Sequence, residues 1–222
     1  SGAEYEAQPH YGPSQSEITS KVSPKPNNYY EQLLGLSYGE IVTRLKKQYV
    51  NIQGNYYVNE TCRSQNSKIK RTKEGLFIHH IDEDKVIKLS DKDCALRAPF
   101  EYQKADRLVY CNLLEHLILH IKIIEENTTD NPFLSLGGAV ATINRRLNDI
   151  FELPALVAPS PVYSLVCDNY DAFISSLTYL WITLKEKNII GISRDDLARR
   201  FDGEINERVY RDLVAGTNSI NR

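Results

Sequence analysis

The chain has only five histidines, and four of them fall in two tight pairs, His79-His80 and His116 with His120. Two histidines at i, i+4 on a helix share one face about 5–6 Å apart, so both imidazoles can bind one metal ion. A third nitrogen is available from His79, which ends the short apolar run Leu76-Phe77-Ile78. Three nitrogen ligands leave an open coordination position, the arrangement of a catalytic metal rather than a structural one. Neighbouring side chains on a strand point to opposite sides. His80 can therefore face a substrate while His79 faces the metal, and an ordinary imidazole, with a pKa near neutrality, can deprotonate a water. Either pair alone is readily explained as hydrogen-bonded core histidine. Their conjunction, one pair ending a strand and the other following a strand-to-helix turn, reads as a metal centre.

These side chains need elements to hold them. Leu76-Phe77-Ile78 reads as a β-strand, and Leu108-Val109-Tyr110-Cys111 reads as a second one. The second runs into a helix over 112–125 that is apolar except at Glu115, His116, His120 and Lys122. A helix apolar nearly all round is buried, so its histidines lie at or near the interior. Between the strands, residues 82–105 are charged and irregular, with Pro99 as a breaker. Upstream, Ser37 caps a helix through Gln48 with Ile41, Val42, Leu45 and Tyr49 on one stripe. Residues 50–58, broken by Gln53-Gly54-Asn55, read as a loop or small hairpin. Downstream come helices over 139–151 and 169–187, a linker-like turn over 154–161, and short helical segments over 194–201 and 207–214, with Ser193 an N-cap.

Composition narrows the classes. The 222 residues are 41% hydrophobic and 25% charged, with a net charge of -2, which allows a sizeable core. No window approaches the ~18 consecutive apolar residues of a spanning helix, so no membrane role is expected. Near-neutral charge excludes a purely electrostatic, histone-like nucleic-acid binder but leaves room for a local basic groove. Lys68, Lys70, Arg71 and Lys73, just upstream of the first strand, are candidate contacts to a DNA backbone, the alternative being a solvated loop. Cys62, Cys94, Cys111 and Cys167 form no CxxC pair, so they read as reduced, buried thiols, which favours a cytoplasmic protein. Residues 1–28 are rich in Ser, Pro, Gln and Asn and read as a disordered segment; the opening Ser1-Gly2-Ala3, in a chain without Met, reads as a cut end. The expected organisation is thus 1–28 disordered, 29–73 helical and looped with the basic stretch, 74–125 carrying the histidines, and 126–222 helical.

Ile78-His79-His80-Ile81-Asp82, followed after an insert by Leu108-Val109-Tyr110-Cys111 and Glu115-His116-Leu117-Ile118-Leu119-His120, resembles the HNH endonuclease motif. That family is also called the ββα-metal or His-Me finger family, and the likeness is nearest its colicin-type nucleases. The resemblance covers residues 74–124. It implies that His80 is the general base and that His79, His116 and His120 hold a divalent metal, Mg, Mn or Zn. Three departures stand out. Arg107 occupies the place where the motif usually has an Asn that braces the base, so a catalytic role passes to Arg107 by position, as a phosphate contact. Orientation of His80 then falls to another group, with Gln103 as the candidate. Glu115 stands where a second Cys of a knuckle would be, so no structural zinc is expected. The insert between the two halves is about 25 residues, somewhat long for the motif, and is a candidate for substrate contacts.

The expectation is therefore an α+β protein, predominantly helical, with an embedded ββα-metal nuclease motif that hydrolyses phosphodiester bonds in DNA. Its setting would be a restriction, mobile-element, phage packaging or homing enzyme, or a toxin. A homodimer suits a double-strand cutter, and a toxin would have an immunity protein as partner. Two alternatives remain: a non-catalytic DNA-binding module with a structural zinc on the same histidines, and a metallohydrolase acting on something other than nucleic acid. The second lacks an HExxH or paired-carboxylate cluster. Residues 192–213 also resemble the helix-turn-helix of winged-helix regulators, with a helical packing hairpin as the other reading.

Overall fold

The computed structural model describes residues 22–220 and opens with two short helices, α1 (Asn27–Leu34) and α2 (Tyr38–Gln48). Residues 1–21 of the segment expected to be disordered lie outside the described residues. Val22 already packs against the core, and α1 starts inside the stretch expected to be loose. At α2 the Ser37 hydroxyl accepts from the Glu40 N–H while the Glu40 carboxylate accepts from the Ser37 N–H at 2.8 Å, a reciprocal cap. Ile41, Val42 and Leu45 bury the stripe that the spacing implied.

No hairpin forms over residues 50–58; Tyr57 makes a single bridge to Gln65. The chain then enters β1 (Phe77–His80), leaves through an excursion containing α3 (Lys92–Arg97), and returns as β2 (Leu108–Cys111). The strands are antiparallel, His79 opposite Val109 and His80 opposite Leu108. β2 feeds α4 (Leu113–Glu126), capped by Asn112, whose side chain accepts from the N–H groups of Leu114 and Glu115.

Because α4 is apolar on nearly every side, it must be surrounded. α1, α2 and a π-helical stretch, Gly137–Asn144, pack on it, the last continuing into α5 (Arg145–Glu152). Next come single-turn α6 (Pro154–Val157), α7 (Pro161–Val166) and α8 (Tyr170–Glu186), the last also packed on α4. The chain ends with single-turn α9 (Arg194–Leu197) and α10 (Glu207–Ile220), which lies along α8. The small two-stranded sheet amid helices makes this a helix-rich α+β fold. One hydrophobic cluster runs from Tyr29 to Leu213, through all the segments that composition had separated.

Two local departures have simple causes. Proline at the first turn of both α6 and α7 lets helical turns form over 154–157 and from Pro161 on, where a linker was expected over 154–161, since Pro has no N–H to leave unpaired there. The segment over 194–201 stops after one turn because Arg199 bridges back to Ile205 across a tight turn. There Arg200 meets Asp149 and Asp202, and Arg208 lies 3.7 Å over the Tyr170 ring. Residues 192–213 therefore pack as a hairpin against α8 and α5.

α4 carries one buried carboxylate, Glu115. It accepts from Tyr29 at 2.7 Å, Gln48 at 2.9 Å, Tyr49 at 2.9 Å and the Asn112 N–H at 2.7 Å. Four donors compensate its desolvation and tie α1 and α2 to the start of α4, which fixes the helix bearing the histidines. Among the described residues no helix is long and apolar enough to cross a membrane.

Candidate metal centre

β1 delivers His79 and His80, and α4 delivers His116 and His120. His79, His116 and His120 converge: each offers a ring nitrogen, and these atoms all lie within 4.8 Å of one another. The His79 ring centroid is 5.2 Å from both His116 and His120, and His116 Nε2 lies 3.2 Å from His120 Nε2. Nitrogens bound to one tetrahedral ion at ~2.0–2.1 Å sit about 3.3–3.4 Å apart, so this pair is already spaced for a shared ion. The fit has a second support. His79 Nδ1 is buried with no hydrogen-bond partner, a costly state that an ion would relieve.

The surrounding hydrogen bonds fix where the protons sit. Tyr38 has one hydroxyl proton and donates it to the Ile81 carbonyl at 2.7 Å. Its oxygen must then accept from His79 Nε2 at 2.9 Å, so His79 is protonated at Nε2 and its Nδ1 lone pair points inward. The Ser135 hydroxyl bonds His120 Nδ1 and leaves Nε2 for the centre. Ser135 holds this position with φ at 69°, a left-handed conformation unusual for a residue with a side chain. Gly138 lies against the His120 ring so closely that a Cβ there would come within 2.6 Å of Cε1. The π-helical stretch thus presses on one face of the His120 ring.

His80 is built differently. The Gln103 amide donates to the Leu89 carbonyl at 3.1 Å, which turns its oxygen toward His80 Nε2 at 3.0 Å. His80 therefore donates from Nε2, and Nδ1 keeps its lone pair. The ring packs edge-on to Tyr56 and lines a cleft of about 460 Å³ together with His116 and His120. Burial pushes His80 and His120 down to about 4. Burial, reinforced by neighbouring imidazoles, drives His79 and His116 well below the ordinary histidine value. All four are neutral at pH 7, the form that both ligation and base catalysis need.

The other sequence-predicted residues are not gathered there. The Arg107 guanidinium grips the buried Asp82 carboxylate, with Nε 2.7 Å from Oδ2, and so braces the turn after β1 instead of reaching the cleft. Arg71 pairs with Glu74 through Nε at 2.6 Å and lies over the Tyr110 ring, so its charge is compensated. Lys68, Lys70 and Lys73 are exposed, and none of them lines this cleft.

Glu83, Tyr38 and Ser135 escaped the sequence reading. Glu83 lies 3.5 Å from His120 Nε2 and 3.7 Å from His79 Nδ1. Burial pushes its carboxyl up to about 7. Its one signal was an acid three residues past the histidine pair, hidden in the run Asp82-Glu83-Asp84. The described residues thus bring together three neutral imidazoles able to hold a metal ion, a nearby carboxyl, and a fourth imidazole oriented independently on the same cleft. Comparisons with protein-family models, with curated proteins and with solved structures gave no match.

Proposed function

We propose that the chain is a metal-dependent endonuclease of the HNH, or ββα-metal, type that hydrolyses phosphodiester bonds in DNA. The observation that carries this reading is the division of labour among four histidines. Three are held by Tyr38, Ser135 and their own helix around one point, and the fourth, held by Gln103 through Nε2, keeps its Nδ1 lone pair and lines the same cleft. His79, His116 and His120 would hold a divalent ion, Mg, Mn or Zn. Such an ion supplies charge neutralisation on the phosphate and its leaving oxygen.

His80 acts as the base. Neutral at pH 7, it takes a proton from water at Nδ1 while Nε2 keeps its bond to Gln103, so the ring does not rotate as it becomes charged. The resulting imidazolium is stabilised by the Gln103 oxygen and lies near the Asp82 carboxylate. Glu83, the half-buried Ile78 and the buried Ile143 line the cleft and restrict water at the centre.

Glu83, within reach of two of the three ligating nitrogens, favours one other reading: a closed four-ligand zinc in a non-catalytic DNA-binding module. That reading expects no strand cleavage and loss of the metal in Glu83→Ala. The deciding experiment incubates supercoiled plasmid with the protein in EDTA, magnesium, manganese or zinc. Nicking or linearisation with at least one metal and none in EDTA is expected. Intact plasmid under every metal overturns the nuclease reading.

A further inference from the structure

The metal-centre cleft does not end at the histidines. A second cleft of about 330 Å³ adjoins it, and the two share Ile78, Ser90, His116, Thr142 and Ile143 as common wall. The composite groove thus passes over His116, which stands at its middle. Lys88 lines the arm on the His80 side. Lys70, Arg71 and Arg146 line the other arm, where the lining holds no Asp or Glu.

Arg146 is the informative residue. It sits near the start of α5, half-buried, with its guanidinium 4.9 Å from the Phe77 ring centroid. Among the described residues it makes no ion pair, while Arg71, Arg107 and Arg200 each grip a carboxylate. Burial without a counter-ion is unfavourable for a guanidinium. A planar fork held on an aromatic ring, on the arm of the groove without acids, matches a phosphate oxygen.

We infer that Arg146, with Lys70 on the same arm, forms an anion subsite for a backbone phosphate next to the one cleaved. The substrate is then an extended polynucleotide lying along both arms of the groove, and not a mononucleotide or an isolated small diester. This rests on the nuclease reading for the identity of the chemistry at the histidines, but the binding it predicts does not need cleavage.

The test measures binding of a fluorescent DNA oligonucleotide by anisotropy in EDTA, across a range of salt concentrations. It compares the wild type, Arg146→Met, which keeps the stem on Phe77, and Arg146→Lys, which keeps the charge. Thermal midpoints confirm that each variant is folded. Arg146→Met should weaken binding about 10-fold and lower the slope of log affinity against log salt by about one. Arg146→Lys should recover most of the slope but only part of the affinity. In parallel, metal-loaded wild type and Arg146→Met are compared on plasmid and on bis(p-nitrophenyl) phosphate, which has no neighbouring phosphate. Plasmid cleavage should fall about 10-fold at sub-saturating DNA while hydrolysis of the small diester stays within about twofold. Folded Arg146→Met that binds DNA with wild-type affinity and slope overturns the subsite, even if plasmid is cut. Equal losses on both substrates overturn it as well. Arg146-dependent binding without any cleavage would retain the subsite and remove the nuclease reading. No DNA binding by the wild type at low salt would remove both.

Discussion

Gly138→Ala is a sharp probe of the centre because it adds one methyl group at a known place. The new Cβ would lie 2.6 Å from His120 Cε1, 2.8 Å from Nδ1 and 3.0 Å from Nε2. Carbon contacts are comfortable at about 3.5–4.0 Å, so the ring must retreat by about 1 Å. Metal–nitrogen distances hold to within about 0.2 Å, so that retreat is several times what a ligand can tolerate. It also strains the bond from His120 Nδ1 to Ser135. Disturbing the supports of a ligand typically costs 10–100-fold in metal affinity, and that is the loss expected here. Stability of the metal-free protein should respond weakly. Overpacking costs about 1–3 kcal/mol, and Ala is favoured over Gly in helical backbone by about 1 kcal/mol, leaving about 0–2 kcal/mol of destabilisation. The assay is metal competition against a chromophoric chelator, with thermal unfolding of the metal-free protein alongside. A folded variant that binds metal within twofold of wild type would refute His120 as a ligand in this geometry.

Tyr38→Phe leaves the His79 Nε2 proton and the Ile81 carbonyl without their partner, so metal affinity should fall about 10–100-fold in the same competition assay. Arg107→Ala leaves Asp82 buried with only Lys85. It should cost about 2 kcal/mol by denaturant unfolding, the low end for a buried pair because the guanidinium is 33% exposed, with plasmid cleavage per bound metal held within a few-fold. Burial alone would raise the Asp82 carboxyl, but the bonds from Arg107 and Lys85 outweigh it and hold the carboxyl below its ordinary value. The pair therefore stabilises the fold above pH ~4 and ceases to do so as pH falls through the lower folded value. Denaturant midpoints from pH 2 to 5 should fall more steeply in wild type than in Arg107→Ala, and parallel curves would contradict this.

What local pattern encodes was legible in the chain. The stripe of α2, its Ser37 cap, both strands and the histidine spacing on α4 are short-range properties, and they form where the residues imply. Gln103 as the partner of His80 was also anticipated, on the ground that the usual brace is missing. Partners set by tertiary packing were not legible. Tyr38 reaches His79 across 41 positions, and nothing near either residue marks the pair. Gly138 and Ser135 precede the helix expected over 139–151, and only the packing of their segment on α4 reveals a support for His120. Neither the basic run nor the motif position shows that Glu74 and Asp82 fold against Arg71 and Arg107. Arg146 follows Arg145 in sequence, and only the fold shows that it lies on the Phe77 ring with no ion pair among the described residues.

The central claim is that three histidines hold the ion while the fourth does the proton transfer. It is tested most directly by the single-turnover rate of plasmid cleavage by His80→Ala, measured with bound metal counted in the same sample. The account predicts wild-type metal stoichiometry and a rate lower by at least about 100-fold, the usual contribution of a positioned general base. A metal-loaded His80→Ala protein that cuts at the wild-type rate would contradict it.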